Sequence, residues 1–153
     1  MLRPGARAPE FTLPDQDGES VSLSALLGGR RLILYFYPAD FTPGCTREAC
    51  AIRDMHADIG QSGLTVAGVS PQTPATHRAF RAKYALPFTL LSDADKSAAR
   101  LYGVTGPFGL GLRRATFLID GEGVIRDAVR ADFRIARHEA FIRALLPHGR
   151  ASR

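Results

Sequence analysis

Apolar and polar positions alternate at the start of the chain. Phe11 and Leu13, then Val21 and Leu23, flank the polar run Asp15-Gln16-Asp17-Gly18, which predicts a small N-terminal hairpin turning at Asp17-Gly18. A short helix is expected over residues 24–27. Residues 32–36, Leu-Ile-Leu-Tyr-Phe, form an unbroken apolar run, the pattern of a strand covered on both faces and lying near the centre of a sheet. From 46 to 59 the positions Ala49, Ile52, His56 and Ile59 recur at three-and-four spacing, so one face of a helix packs inward, and Gly60 and Gly63 end it. Residues 64–69 read as a second buried strand. Thr73-Pro74 then supplies an N-cap and a first-turn proline for a helix through Phe80 to Tyr84. Beyond it the pattern predicts a strand at 89–91, a helix at 93–102 closed by Gly103, a hairpin of 116–119 and 124–129 around Asp120-Gly121-Glu122-Gly123, and a last helix over 136–146. Strands alternating with helices and ending in an antiparallel hairpin define an α/β sandwich with a mixed central sheet.

A length of 153 residues with 45% hydrophobic content suits one domain spanning 1–153. There is no apolar run of membrane-spanning length and no hydrophobic segment of a secretory signal in residues 1–7, so the expected setting is cytoplasmic. The net charge of +5 raises nucleic acid as a partner, but the arginines scatter from Arg3 to Arg153 with no run longer than Arg30-Arg31 or Arg113-Arg114. That is a solvated surface, and it argues against a specific nucleic-acid site. The two cysteines, Cys45 and Cys50, are too few to staple a fold of this size and read as chemistry. The histidines, His56, His77, His138 and His148, are dispersed, and no zinc-ligand spacing is present.

Both cysteines lie in Tyr37-Pro38-Ala39-Asp40-Phe41-Thr42-Pro43-Gly44-Cys45-Thr46-Arg47-Glu48-Ala49-Cys50, where a buried strand hands over to a helix. The thiolate is the nucleophile, and free cysteine titrates near ~8.5, so a reactive site must bring that value to between ~3.5 and ~7.5. A helix starting at Pro43 or Gly44 places Cys45 in its first turn, where unpaired N–H groups and the helix dipole favour an anion. Gly44 lets backbone approach a small ligand without a Cβ in the way. A shift of ~2 units requires ~2.7 kcal/mol, whereas a helix terminus supplies ~0.3 to 1 and at best ~2 kcal/mol. A cation is needed as well, and a guanidinium would serve, but spacing does not say which arginine. Thr42 can point its hydroxyl at the sulfur or at a bound oxygen, and Pro38 can shield the sulfur from bulk water. In an intact helix the Cα atoms of Cys45 and Cys50 would stand roughly 8 to 9 Å apart. A disulfide needs less than ~7 Å, so a bond between them requires the first turns to unwind. Pro43 and Gly44 at the helix start make fraying there easy.

These residues resemble the peroxiredoxins, and within them the peroxiredoxin Q group, also called bacterioferritin comigratory proteins. The similarity rests on Pro38, Thr42 and Cys45 in a Pro-x-x-x-Thr-x-x-Cys signature and on Cys50. It extends through Gly68-Val69-Ser70-Pro71, Pro87-Phe88 with Leu91-Ser92-Asp93, and Arg114-Ala115-Thr116-Phe117-Leu118-Ile119-Asp120, spread from about residue 5 to residue 146. The resemblance implies a thioredoxin-like three-layer sandwich and thiol-dependent reduction of hydrogen peroxide and organic hydroperoxides. It assigns Cys45 as the peroxidatic cysteine, Cys50 as the resolving one and Arg114 as the active-site arginine. Thr42, Arg114 and the N–H groups of Gly44 and Cys45 would hold the peroxide oxygens. The sulfenic acid on Cys45 would be resolved by Cys50 as an intramolecular disulfide and reduced by thioredoxin or a relative. No metal, haem or flavin is implied, and the expected state is a monomer, with a dimer as the alternative. Residues 105–112, Thr-Gly-Pro-Phe-Gly-Leu-Gly-Leu, depart from the family pattern by being shorter and more apolar.

Other readings stay open at this level. If Cys50 is simply packed in the core, the protein is a one-cysteine peroxidase resolved by an external thiol. A thiol-disulfide oxidoreductase on the same fold would lack its usual Cys-x-x-Cys spacing. A non-enzymatic basic binding module would be indifferent to Cys45→Ser. Glu48 reads as a helix-terminus stabiliser without a catalytic part, because a carboxylate that close works against a thiolate. The glycines at 106, 109 and 111 mark a flexible loop, since no Lys-Ser/Thr follows to make a phosphate site.

Overall fold

The computed structural model describes residues 1–146, so His148 and the last arginines lie outside the described residues. The hairpin forms as its alternation predicts: β1 (Thr12–Pro14) pairs antiparallel with β2 (Ser20–Ser22). The Asp15 carboxylate closes the turn by accepting from the N–H groups of Asp17 and Glu19. Helix α1 (Leu23–Leu27) follows at once, with the Ser22 hydroxyl accepting from Ala25 N–H as its N-cap.

The main sheet holds β3 (Arg31–Phe36), β4 (Leu64–Ser70), β5 (Thr89–Ser92), β6 (Ala115–Ile119) and β7 (Ile125–Arg130) in the order β5-β4-β3-β6-β7. Pairs β3/β4 and β4/β5 are parallel, and β3/β6 and β6/β7 antiparallel, which makes the sheet mixed. The unbroken apolar run of β3 is explained by its central place. Leu32, Leu34 and Phe36 enter one core with Val69, Leu91, Tyr102 and Phe117, while Ile33, Tyr35 and the following Tyr37 enter the other with Ile52, Phe80 and Ile142. The hairpin, α1 and α4 (Ser97–Tyr102) cover the first face. On the second lie α2 (Pro43–Gln61), α3 (Pro74–Tyr84) and α5 (Ile135–Arg143). The result is the three-layer sandwich with a mixed sheet and N-terminal hairpin.

Three details differ from the sequence-based reading. The inward face of α2 carries Met55 in place of His56, because Ile52, Met55 and Ile59 keep helical phase and His56 falls beside that stripe, half-buried. Helix α2 also runs on through Gly60 to Gln61. Helix α4 starts at Ser97, not at 93: the buried Asp93 carboxylate stands before it and accepts from the N–H groups of Ala98 and Ala99. Helix α3 begins as read, with Thr73 Oγ1 accepting from Thr76 N–H and Pro74 in the first turn. In the middle of β4, Gly68 leaves room for the Tyr35 ring, whose Cζ would lie 2.8 Å from any Cβ added there.

Candidate active site

Strand β3 ends at Phe36, and a short connection leads to α2 with Thr42 as its N-cap residue. The helical ladder begins with Thr46 N–H donating to Thr42 O at 2.8 Å, which leaves the N–H groups of Gly44 and Cys45 ahead of it. Cys45 therefore sits in the first turn, 1% exposed, within the core on the α2 side of the sheet. The antiparallel pairing of Phe36 with Ala115 brings the residue before β6 to the same end of the sheet. That residue is Arg114. Its Nη2 donates to Cys45 Sγ at 3.3 Å and its Nη1 to Glu48 Oε1 at 2.7 Å. Its own N–H donates to Asp132 Oδ1 at 2.9 Å, which fixes the backbone from which the guanidinium reaches in.

Gly44 has a second use beyond the one its sequence position suggests. A Cβ there would lie 3.3 Å from Arg114 Nη2 and 3.6 Å from Ile135 Cδ1, so the missing side chain lets the guanidinium rest against the helix start.

Glu48, expected to stabilise the helix terminus, lies beyond the first turn, where it is 1% exposed and ion-paired to Arg114. Burial pushes its carboxyl up to about 7, against the pull of Arg114. Its Oε2 has no hydrogen-bond partner among the described residues and lies 3.7 Å from His138 Nδ1. His138 Nε2 faces Ala131 O at 2.9 Å and must donate to it, so Nδ1 accepts from the Thr116 hydroxyl at 2.9 Å in a neutral ring. Burial, with Arg114 and Arg137 nearby, holds the His138 pKa below the ordinary histidine value. Arg114, despite its burial, is held above the ordinary arginine value by Glu48 and Cys45. Glu48 lies three residues after Cys45, one turn along the same face. A carboxylate beside Ala49 on an inward stripe was the available signal.

A second buried network ties down the connection before the helix. Tyr37 OH donates to Asp40 Oδ1 at 2.6 Å, His77 Nδ1 meets Asp40 Oδ2 at 2.6 Å, and His77 Nε2 donates to Leu91 O at 3.0 Å. Neither Asp40 nor His77 carries a signal of this pairing in the sequence, since 37 residues separate them.

Thr42 is exposed, and its hydroxyl donates to Ala39 O at 3.0 Å and not to the sulfur. Pro38 is exposed as well. Pro38, Thr42, Gly44 and Arg114 share one open groove of about 640 Å³, walled by Leu110, Leu112, Phe133 and Ile135. Cys45 is not on its surface and lies just behind Gly44 and Arg114. Cys50 is half-buried further along α2, and both thiols are free.

A cysteine held by a guanidinium where a sheet of this topology passes into a helix belongs to a thioredoxin-like fold carrying a thiol peroxidase site. Comparison with known proteins agrees, for the AhpC/TSA family model matches residues 4–128. A Coxiella burnetii protein carrying the provisional name peroxiredoxin bcp is 50% identical over 127 residues, which cover 79% of this chain and 83% of that one. Rice chloroplastic peroxiredoxin Q is 44% identical over 135 residues, 88% of this chain; the chain spans 62% of the length of that relative. A solved bacterioferritin comigratory protein of Xanthomonas campestris, described by its alkyl peroxide reduction activity, superposes with a TM-score of 0.83 at 32% identity over 97% of this chain and 98% of its own. The chain belongs to the AhpC/TSA family as a peroxiredoxin of the peroxiredoxin Q/Bcp group. Among the described residues no helix is long and apolar enough to cross a membrane.

Proposed function

We propose that this peroxiredoxin reduces hydrogen peroxide and organic hydroperoxides through Cys45, with Cys50 as an intramolecular resolving thiol. The observation that carries this reading is the Arg114 guanidinium donating to a first-turn cysteine sulfur at 3.3 Å beside an open groove. The Cys45 thiolate attacks one peroxide oxygen. The O–O bond breaks, the other oxygen leaves with a proton as water or alcohol, and Cys45 becomes a sulfenic acid. Arg114 and the free N–H groups of Gly44 and Cys45 supply donors for the oxygens as charge moves across that bond. Thr42 and Pro38 shape the rim where the peroxide enters. Cys50 then attacks the sulfenic sulfur, water leaves, and the disulfide is reduced by a dithiol such as thioredoxin. The apolar walls from Leu110, Leu112 and Phe133 favour an alkyl group on the peroxide. The enzyme acts as a monomer, and a reducing cytoplasm returns both thiols between cycles.

Cys45→Ser is expected to abolish peroxide consumption in a coupled thioredoxin assay, and retained turnover would overturn the assignment. Cys50→Ser should still consume one equivalent of peroxide yet fail to cycle with thioredoxin. Normal cycling in that variant would identify an external thiol as the resolving partner.

A further inference from the structure

The hydrogen bonds around Asp40 lie two residues before Thr42, the N-cap of the helix that must unwind. A Cys45 to Cys50 disulfide requires the first turns of α2 to unwind, because their Cα atoms are roughly 8 to 9 Å apart in a helix and the bond needs less than ~7 Å. Just ahead of that helix Phe41 adopts a left-handed φ of 65°, a conformation disfavoured for a bulky side chain. Such a residue persists only where its surroundings over-determine it. Here they do. On one side Asp40 is 6% exposed and gripped by Tyr37 OH and His77 Nδ1, each at 2.6 Å. Both ring nitrogens of His77 face oxygens, so a proton must lie between Nδ1 and the Asp40 carboxyl. On the other side the Phe41 ring packs edge-on against Phe80, with centroids 5.1 Å apart, on the same α3 that carries His77.

We propose that the Tyr37–Asp40–His77 network is a latch that holds the start of α2 in its peroxide-reactive helical form. By opposing the backbone strain at Phe41, it sets how readily Cys45 is released toward Cys50. These are positioning residues, since none hydrogen-bonds the sulfur or lines the groove. The proposal rests on the disulfide reading above and adds to it a site of control. The sulfenic acid has two fates. Attack by the Cys50 thiol gives the disulfide and water, while a second hydroperoxide gives a sulfinic acid and an alcohol or water. A weaker latch raises the population of the unwound form and favours the first fate.

The test measures that partition in the full chain by rapid quenching and intact mass after increasing equivalents of cumene hydroperoxide, for the native protein, Tyr37→Phe and Asp40→Asn. Loss of one hydrogen bond from the latch is expected to raise the rate of disulfide formation about fivefold. The peroxide dose that half-converts Cys45 to sulfinic acid should rise in proportion, and the first oxidation should slow. A role in stability alone would lower the unfolding midpoint and leave the partition where it was, and that result would overturn the latch. Asp40→Asn carries the larger change, and Tyr37→Phe, which deletes a single oxygen, keeps the test decisive if Asp40→Asn does not fold. If the native protein itself forms no Cys45 to Cys50 disulfide, the resolving reading falls, and the latch with it. If it forms one and both variants partition like it, only the latch falls.

Discussion

At the scale of single residues, the site places a carboxylate where a thiolate has to form. Glu48 and Cys45 share Arg114, and the guanidinium lies between them with one nitrogen on each. Burial holds the Glu48 proton up to about pH 7, whereas an unfolded chain releases it near 4.5. A carboxyl whose folded value is raised contributes stability that is fully present below the unfolded value and is lost as pH rises through the folded one. Urea unfolding should therefore show the protein losing up to about 3 kcal/mol between pH 5 and pH 8, and Glu48→Gln should flatten that slope. Arg114→Gln removes the donor to the sulfur, and the first oxidation of Cys45, followed by stopped flow, should slow by about 10² to 10³. It also strands Glu48, which answers by keeping its proton to higher pH. The stability lost in Arg114→Gln should accordingly be smaller at pH 5 than at pH 8.

At the scale of elements, α2 is built as two unlike halves. Its C-terminal part is nailed to the core by Ile52, Met55 and Ile59 and by Arg53 Nη1, which donates to Tyr84 O at 2.9 Å. Its first turns begin at Pro43 and Gly44 on the capping backbone of Thr42 and are held from outside by Arg114 at Cys45 and Glu48. Unwinding for the proposed disulfide should therefore stop before Ile52. Amide exchange compared between the reduced and oxidised protein is expected to rise over residues 42–50 and stay protected over 52–59, and equal protection along the helix would refute this division. The sheet offers no such give. Gly68→Ala would drive a methyl into the Tyr35 ring and the Leu90 side chain, with first contacts at 2.8 and 3.0 Å, and should cost about 1 to 3 kcal/mol by denaturant unfolding.

At the scale of the whole molecule, the groove beside Cys45 is assembled from parts that never meet in sequence. The α2 start gives its floor, the 105–112 segment one wall, and Phe133 with Ile135 the other. The short apolar 105–112 segment thus lines the groove, with Leu110 72% and Phe133 97% exposed at its edge. Replacing both with serine should lower kcat/KM for an alkyl hydroperoxide by about tenfold while leaving that for hydrogen peroxide nearly unchanged. Equal loss for both substrates would mean that the wall does not contact the alkyl group.

The chain's own order of residues determined the elements and the chemistry. Alternation set the hairpin and the unbroken run of β3 marked the sheet centre, because these signals are local and repeat with the period of the structure they specify, and the junction from Tyr37 to Cys50 pointed to thiol chemistry. The resemblance added Arg114, which no spacing argument could reach. What only the tertiary structure decided are the partners: Glu48 and Cys45 meeting Arg114, His138 set behind Glu48, His77 holding Asp40, and the Thr42 hydroxyl turned to Ala39. Except for Thr42, these pairings depend on strand register and helix phase across separations as long as the one between Glu48 and His138. Until burial removes water, a carboxylate three residues from a cysteine is only a surface charge, and a histidine in a helix only a polar residue.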